Sequence, residues 1–261
     1  MSEPPLKISV ATVTYNASAA IARTIQSVES QTYPFVEHII VDGNSQDDTL
    51  EQVHHYQERN SIARVRHEIS CISEPDEGLY DAMNKAIDMA TGDYIVYLNA
   101  GDKFHAPNTL QQIAEMISKG VRPAVVFGDT DIVDDEGNFI RHRRLAPPKQ
   151  LNWRSFRSGM LVCHQAFYAR TDLARANKYN LRYRFAADFD WCIRIMHAAK
   201  RNKLPLLNSH LILADYLHEG LTTRNHQASL KERFRIMAHH YGLFSTLWQH
   251  GWFVLRSVLK K

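Results

Sequence analysis

The chain is 261 residues long, with 44% hydrophobic and 23% charged residues, which excludes a disordered or fibrous protein and leaves enough apolar material for one large core. Its three cysteines, Cys71, Cys163 and Cys192, have no CxxC or CxxH spacing, so neither a disulfide framework nor a structural zinc site is expected and a reducing compartment fits. The formal net charge of +3 is end-loaded: from Ala228 onward Lys231, Arg233, Arg235, Arg256, Lys260 and Lys261 stand against Glu232 alone, so the near-neutral body is not expected to bind nucleic acid, while the tail is expected to meet an anionic surface.

The apolar stretch after the opening MSEPPLK is too short for a signal-peptide core, and a cytoplasmic location is expected. Residues 8–15, rich in β-branched types, predict a first strand, and Ile21, Ile25 and Val28 predict a helix after it. A second unit repeats the order, with a strand at 38–41, a turn at Asp42-Gly43-Asn44-Ser45 and a helix from Thr49 to Glu58. Ser45 and Asp48 have the spacing of a capping box. A third strand is expected at 69–74 and a helix from Leu79 to Met89, with Gly92 as its left-handed stop. The strand at 94–98 then runs into Asn99-Ala100-Gly101-Asp102. Further on, residues 125–128 read as a strand, 136–138 as a hairpin turn and Pro147-Pro148 as a breakpoint.

This alternation predicts an α/β fold with a Rossmann-like, mostly parallel central sheet flanked by helices. From Leu230 onward the pattern is helical, and no Lys, Arg, Asp or Glu stands between Arg235 and Arg256. Its histidines, glutamine and glycines argue against a spanning helix. Tyr241, Phe244, Trp248, Trp252 and Phe253 with flanking cations fit an interfacial segment instead. The expected division is a domain at 1–227 and a basic aromatic tail at 228–261.

Three predicted strands end in acidic or small polar clusters, around Asp42, at 74–78 and at 99–102. In a parallel sheet these clusters share one edge, where ligands bind. Carboxylates gathered there repel one another unless a cation or hydrogen-bond donors lie between them. A hard divalent ion bridging a diphosphate would resolve that repulsion.

The stretches at 10–17, 39–49, 73–102, 163–170 and 186–194 together resemble glycosyltransferase family 2, the inverting enzymes of the GT-A fold, over roughly residues 6 to 225. Within that family the chain is most similar to bacterial enzymes that build exopolysaccharide, capsule or O-antigen units, including the colanic-acid type. The resemblance implies a nucleoside-diphosphate sugar donor, Mn²⁺ or Mg²⁺, and a saccharide or lipid-diphosphate-linked acceptor. It puts Thr14, Tyr15 and Asp42 at the nucleotide base. Gly78, Asp81, Asn84 and Lys85 would line the donor sugar, the last three sharing one side of a helix. Asn99 would meet the nucleotide sugar and Asp102 the metal, with Asn99 and Gly101 standing where the family's motif often has aspartates.

Asp188 matches the general base, Asp190 reads as a helix cap, and His164 with Gln165 resembles a segment lining the acceptor pocket. His218 lies in a segment, 217–223, aligned with a loop that closes over the diphosphate, and is the candidate nitrogen ligand for the metal. The implied reaction is a single displacement in cell-surface polysaccharide synthesis, with Asp188 taking the acceptor proton. Two other readings stay open at this point: nucleotidyl transfer, which would want a glycine-rich basic loop where Asn16-Ala17-Ser18 stands, and a nucleotide-sugar-binding scaffold of a polysaccharide assembly complex. The basic tail would hold the protein peripherally on the inner face of the membrane.

Overall fold

Strands β1 (Ile8–Thr14) and β2 (Val36–Asp42) are buried along their whole length. Burial on both faces is what a parallel sheet between two helical layers requires, and it explains why these runs are apolar without alternation. The computed structural model describes residues 4–218 and 225–259, with all their side chains except those of 226 and 252–259. Helix α1 (Ser18–Glu29) turns Ile21, Ile25 and Val28 inward, α2 (Thr49–Ile62) turns in Val53 and Tyr56, and β3 (Glu68–Ser73) completes the second unit. Helix α3 (Leu79–Met89) buries Tyr80, Met83, Ala86 and Ile87 and leads to β4 (Tyr94–Tyr97).

The second half supplies β5 (Lys103–Phe104), α4 (Thr109–Ser118), β6 (Val125–Val133), β7 (Phe139–His142), β8 (Phe167–Arg170), α5 (Thr171–Ala176), α6 (Ala187–Arg201) and β9 (Leu206–Leu217). Helices α7 (His226–Tyr241) and α8 (Leu243–Leu259) follow. Among the described residues the sheet order is β3-β2-β1-β4-β8-β6-β9-β5, with β7 paired to β6. Strands β1 to β4 are mutually parallel. Because β8 is antiparallel to both β4 and β6, and β9 is parallel to β6, the carboxyl ends of β6 and β9 open at the same edge as those of β1 to β4.

One apolar layer joins α3 and α6 to the sheet through Met83, Ile87, Phe156, Phe189, Trp191 and Ile195. On the other face Leu110, Ile113 and Ile117 of α4 pack on Val10, Val96 and Val126. Polar groups inside the sheet are paired: Ser9 Oγ donates to Glu37 Oε1 at 2.8 Å, and Thr12 Oγ1 donates to the Leu98 carbonyl at 2.8 Å.

Four local expectations change. Gly92 does not adopt the left-handed conformation; the helix ends at Ala90, and a Cβ on Gly92 would stand 2.6 Å from Ser9 Oγ, 2.8 Å from Ser9 N and 2.9 Å from the Lys7 carbonyl. Its task is close backbone approach. Ser45 is no part of a capping box, since its hydroxyl turns back to Asp42. Asp190 does not cap α6, whose N-cap is Ala186. Strand β9 escapes sequence reading because Asn208, Ser209 and the positive-φ His210 interrupt its pattern. The hairpin turn stands as expected between β6 and β7, with Gly137 at φ 93°.

Residues beyond the expected boundary at 228 contribute to the core. Ile236, Met237 and Tyr241 of α7 belong to the main apolar layer, and Tyr241 donates a hydrogen bond to the Trp153 carbonyl at 2.6 Å. No helix among the described residues is long and apolar enough to cross a membrane.

The contacts at Gly92 make a direct prediction. Gly92→Ala forces backbone against backbone between β1 and the α3–β4 turn, and should lower unfolding stability by about 1–3 kcal/mol. Urea denaturation reads this as an earlier midpoint at unchanged slope.

Candidate active site

The loops after β1 and β2 are knitted before any ligand is considered. Asn16, at φ 46°, receives its partner from Ser45, whose Oγ accepts the Asn16 N–H at 2.8 Å, and Asn16 Oδ1 accepts from Gln46 N at 2.8 Å. Asp47 accepts from Ser18 N at 3.0 Å and from Thr49 N at 3.1 Å, so it organises the starts of α1 and α2. Asp42 is 0% exposed. One of its oxygens accepts from Ser45 N at 2.8 Å and Ser73 Oγ at 2.6 Å, the other from Ser45 Oγ at 2.5 Å. In this arrangement Asp42 fastens the ends of β2 and β3 from beneath.

Above it lies a cleft of about 1150 Å³ whose lining includes Tyr15, Gly43, Asp76, Gly78, Leu79 and Arg184. Tyr15 is 64% exposed and offers a ring face there. Gly43 has no room for a side chain, because a Cβ would lie 2.6 Å from Asp76 Oδ2. Gly78 sits at φ 118°, a conformation that favours glycine, and its N–H donates to Asp76 Oδ1 at 2.8 Å. Thr14 is buried at the end of β1 with its Oγ1 unpartnered.

On α3 the three expected donor-sugar residues part company. Asn84 exchanges both amide groups with the Tyr179 backbone, donating to the carbonyl at 3.0 Å and accepting from the N–H at 2.7 Å. That clamp occupies it, so the structure does not place it at the cleft. Asp81 accepts from Glu77 N at 3.1 Å. Lys85 Nζ lies 2.8 Å from Glu74 Oε1 and 2.8 Å from the Pro75 carbonyl. The hydrogen bond to Glu74 raises its pKa. Both therefore shape the 74–78 loop at the cleft's rim.

The Asn99–Asp102 turn is closed by Asp102 N donating to the Asn99 carbonyl at 2.9 Å and stitched to α1 by Thr24, whose Oγ1 reaches the Asp102 carbonyl at 2.7 Å. The Asp102 carboxylate is 7% exposed; Gln165 Nε2 donates to Oδ2 at 2.9 Å and Leu217 N lies 3.4 Å from Oδ1. Burial pushes its pKa up, against the pull of the hydrogen bond from Gln165. Beside it the carbonyl oxygens Asn99 Oδ1 and Gln165 Oε1 are buried with no hydrogen-bond partner. Orphaned buried acceptors are costly, and an ion or a hydroxyl at this edge would relieve the strain on all of these groups. His218 follows Leu217, so the end of β9 delivers it to the same edge, where its side chain is exposed. Residues 219–224, the rest of the expected closing loop, lie outside the described residues. The residues present thus fit a hard divalent cation.

Asp188 lies in the first turn of α6. Tyr80 Oη donates to Oδ1 at 3.1 Å, Phe189 N donates to Oδ1 at 2.9 Å, and His164 Nδ1 lies 3.4 Å from Oδ2. Burial pushes its pKa up, but His164, the Arg233 charge and Phe189 N–H outweigh burial and hold it below the ordinary carboxylate value. Asp188 adjoins the cleft on two sides: Tyr80 follows cleft-lining Leu79, and Arg184 and Phe185 line the cleft just ahead of α6.

Sequence reasoning missed what holds that segment. Glu232 of α7 accepts from the backbone N–H of Arg184, Phe185 and Ala186 at 2.8, 2.8 and 3.0 Å. Asp190 is clasped by His240 Nε2 at 2.7 Å and Arg194 Nε at 2.7 Å. The signal available in sequence was Glu232 itself, a lone acid among basic residues. A separate group, His105, Asp131 and Asp215, brings ligand-type atoms within 4.8 Å of one another. Lys103 lies 3.2 Å from Asp215 and balances its charge, and His142 Nδ1 lies 2.7 Å from Asp131 Oδ1.

Comparison with known proteins follows this geometry. The profile of Glycosyl transferase family 2 matches residues 9–175. A PGL/p-HBAD biosynthesis glycosyltransferase of Mycobacterium bovis is 30% identical over 221 residues, covering 84% of this chain and 79% of the relative. The amylovoran biosynthesis glycosyltransferase AmsB of Erwinia amylovora is 27% identical over 219 residues, 79% of this chain and 70% of the relative. Among solved structures, S. aureus TarS in complex with UDP superposes with a TM-score of 0.68 at 18% identity, over 89% of this chain and 64% of that one. The mannosyltransferase PcManGT of Pyrobaculum calidifontis, with GDP-Man and Mn²⁺, gives 0.66 at 16% identity, over 95% and 71%. At such identities the structural likeness is one of fold, and the fold is GT-A.

Asp102 sets a stability test. A carboxyl whose folded pKa is raised destabilises the fold once it is ionised, and costs nothing where it is protonated in both states. Asp102→Asn should therefore raise the unfolding midpoint at neutral pH by about 2–4 °C, with Gln165 turning its orphaned Oε1 to the new amide. The gain should vanish toward about pH 4. Calorimetry across that range is the measurement.

Proposed function

The chain belongs to glycosyl transferase family 2, and from that premise we propose that it is an inverting enzyme. It moves a sugar from a nucleoside-diphosphate sugar to a hydroxyl of a saccharide or lipid-diphosphate-linked saccharide in cell-surface polysaccharide synthesis. Relatives named for PGL/p-HBAD and amylovoran biosynthesis support a product of that class. Solved neighbours in complex with UDP, UDP-GlcNAc or GDP-Man support the donor class.

The observation that carries the reading is Asp188, a partly buried carboxylate held in its charged form close to residues of the cleft. Tyr80 and Phe189 N–H occupy Oδ1, which leaves Oδ2 with lone pairs for the acceptor proton. An ionised base aimed at the acceptor hydroxyl lets the oxygen attack the anomeric carbon as the diphosphate leaves from the opposite face, which inverts that carbon. Tyr15 would stack on the nucleotide base, with Thr14 and Asp42 under it. Gly78 lets the chain pass close to the donor, Asp81 and Lys85 support that loop, and Asn99 Oδ1 would accept from a hydroxyl of the nucleotide sugar. Asp102, with His218, would hold Mn²⁺ or Mg²⁺, which supplies charge neutralisation for the leaving diphosphate.

A cytoplasmic protein resting on the inner face of the membrane completes the proposal. Its support lies in α8, where Leu243, Phe244, Leu247 and Trp248 are exposed on one stripe, Phe244 by 89% and Trp248 by 82%. Trp252, Phe253 and Arg256 continue the helix, with side chains outside the described residues.

Asp188→Asn should lower transfer by about 10²–10⁴-fold while isothermal titration still finds the donor bound; undiminished turnover would remove Asp188 from the mechanism. Because Asp188 has a depressed pKa, activity should be full at neutral pH and fall as pH drops through that value. Asp102→Ala should weaken donor binding in the presence of Mn²⁺. Release of nucleoside diphosphate supports transfer, pyrophosphate release would point to nucleotidyl transfer, and binding without turnover to a scaffold. Phe244→Asp with Trp248→Asp should abolish flotation with anionic liposomes and leave turnover of a soluble acceptor intact.

A further inference from the structure

We propose that His164 is the positioning residue of Asp188, and that asparagine at position 99 holds it in the tautomer this task requires. The inference rests on the proposed base role of Asp188, and it gives a reason for the departure from aspartate at position 99.

His164 opens the 3-10 turn His164–Ala166 that leads into β8, and β8 lies antiparallel to β4, so the turn sits over the Asn99–Asp102 segment. Its imidazole spans the two halves of the site. Nδ1 lies 3.4 Å from Asp188 Oδ2 and Nε2 lies 3.3 Å from Asn99 Nδ2. A carboxylate can only accept, so the ring nitrogen that faces Asp188 must carry hydrogen. In a neutral ring Nε2 is then a bare acceptor, and it needs a donor. The amide of Asn99 provides one, and this orients the amide so that its Oδ1 is left free, in agreement with the unpartnered buried Oδ1. Contacts of this length tighten as reacting groups assemble.

The consequence for Asp188 is geometric. Oδ1 is fixed by Tyr80 and Phe189, and Oδ2 faces His164 Nδ1 at 3.4 Å. The Nδ1–H bond sets the rotation of the carboxylate and leaves the other lone pair of Oδ2 for the incoming hydroxyl proton. An aspartate at 99 would place an acceptor against Nε2 as well. The ring would then take a second proton, and a charge-assisted bond to Oδ2 would make Asp188 a poorer base. Asparagine keeps the donor-side oxygen and avoids that outcome.

The test uses the full chain labelled with ¹⁵N-histidine, the His164 signal being assigned by its loss in His164→Gln. Long-range ¹H–¹⁵N spectra should show the neutral Nδ1–H form in the parent protein and a doubly protonated ring in Asn99→Asp. With donor and acceptor supplied, Asn99→Asp should lower kcat about tenfold with donor KM nearly unchanged, because Oδ1 is conserved in the isosteric change. Since the two residues act as a unit, Asn99→Asp should cost nothing further in the His164→Gln background. A neutral Nε2–H form in the parent, an unchanged ring in Asn99→Asp, or additive losses in the double variant would each overturn the proposal. If the parent turns over no donor at all, the glycosyl-transfer reading fails and the positioning role fails with it. The spectra then still decide whether Asn99 sets the tautomer.

Discussion

Charge at the carboxyl edge of the sheet is the constraint around which this molecule is arranged. A parallel sheet covered on both sides brings the ends of β1, β2, β3, β4, β6 and β9 to one edge, and the sequence puts carboxylates or amides at most of those ends. Asp42, Asp102 and, on α6, Asp188 are buried or nearly so, and a buried charge survives only with donors around it. The donors come from distant parts of the chain: Ser73 for Asp42, Gln165 and Leu217 for Asp102, Tyr80 and His164 for Asp188, and Glu232 in the reverse sense for three bare N–H groups. The site and the fold are thus held by the same bonds.

Two of those carboxylates are pushed in opposite directions. Asp102 has few partners for its burial and its pKa is raised; Asp188 has Tyr80, His164 and the nearby Arg233 charge, and its pKa is lowered. Divergent environments are how one kind of side chain is given two jobs. A carboxylate left wanting positive charge suits a position that receives a cation. One already compensated suits a group that must remain ionised until the acceptor arrives. The instability left at Asp102 is of the sort that functional sites retain.

The first half of the fold was legible in sequence because its elements are local. Apolar runs such as 39–41 and 94–98 and the i, i+4 spacing of Ile21 and Ile25 speak for themselves. The resemblance named Asp102, Asp188 and Tyr15; Tyr15 lines the cleft, and Asp188 meets it through Tyr80, the neighbour of cleft-lining Leu79. What the sequence hid was pairing across long separations. Asn84 shares a helix face with Asp81 and Lys85, yet its amide meets Tyr179, ninety-five positions away. Gly92 reads as a helix stop but serves β1. Neither fact has a signature within a window of neighbouring residues.

The tail is where charge counting alone misled. Glu232 and Arg233 look like part of a solvated basic run, but Glu232 binds the backbone ahead of α6 and Arg233 lies close enough to lower the pKa of Asp188. Together with buried Ile236 and Met237, they tie α7 to the main apolar layer. Taking Glu232 and Arg233 together out of the tail removes one charge of each sign, so its positive balance is unchanged. The proposed peripheral attachment would draw on that charge and on the apolar stripe of α8, with Trp248 the side chain best suited to the headgroup region. Because α8 follows α7 after the single residue Gly242, and α7 holds the loop before Asp188, the surface proposed to meet the bilayer is joined to Asp188 by one short stretch of chain.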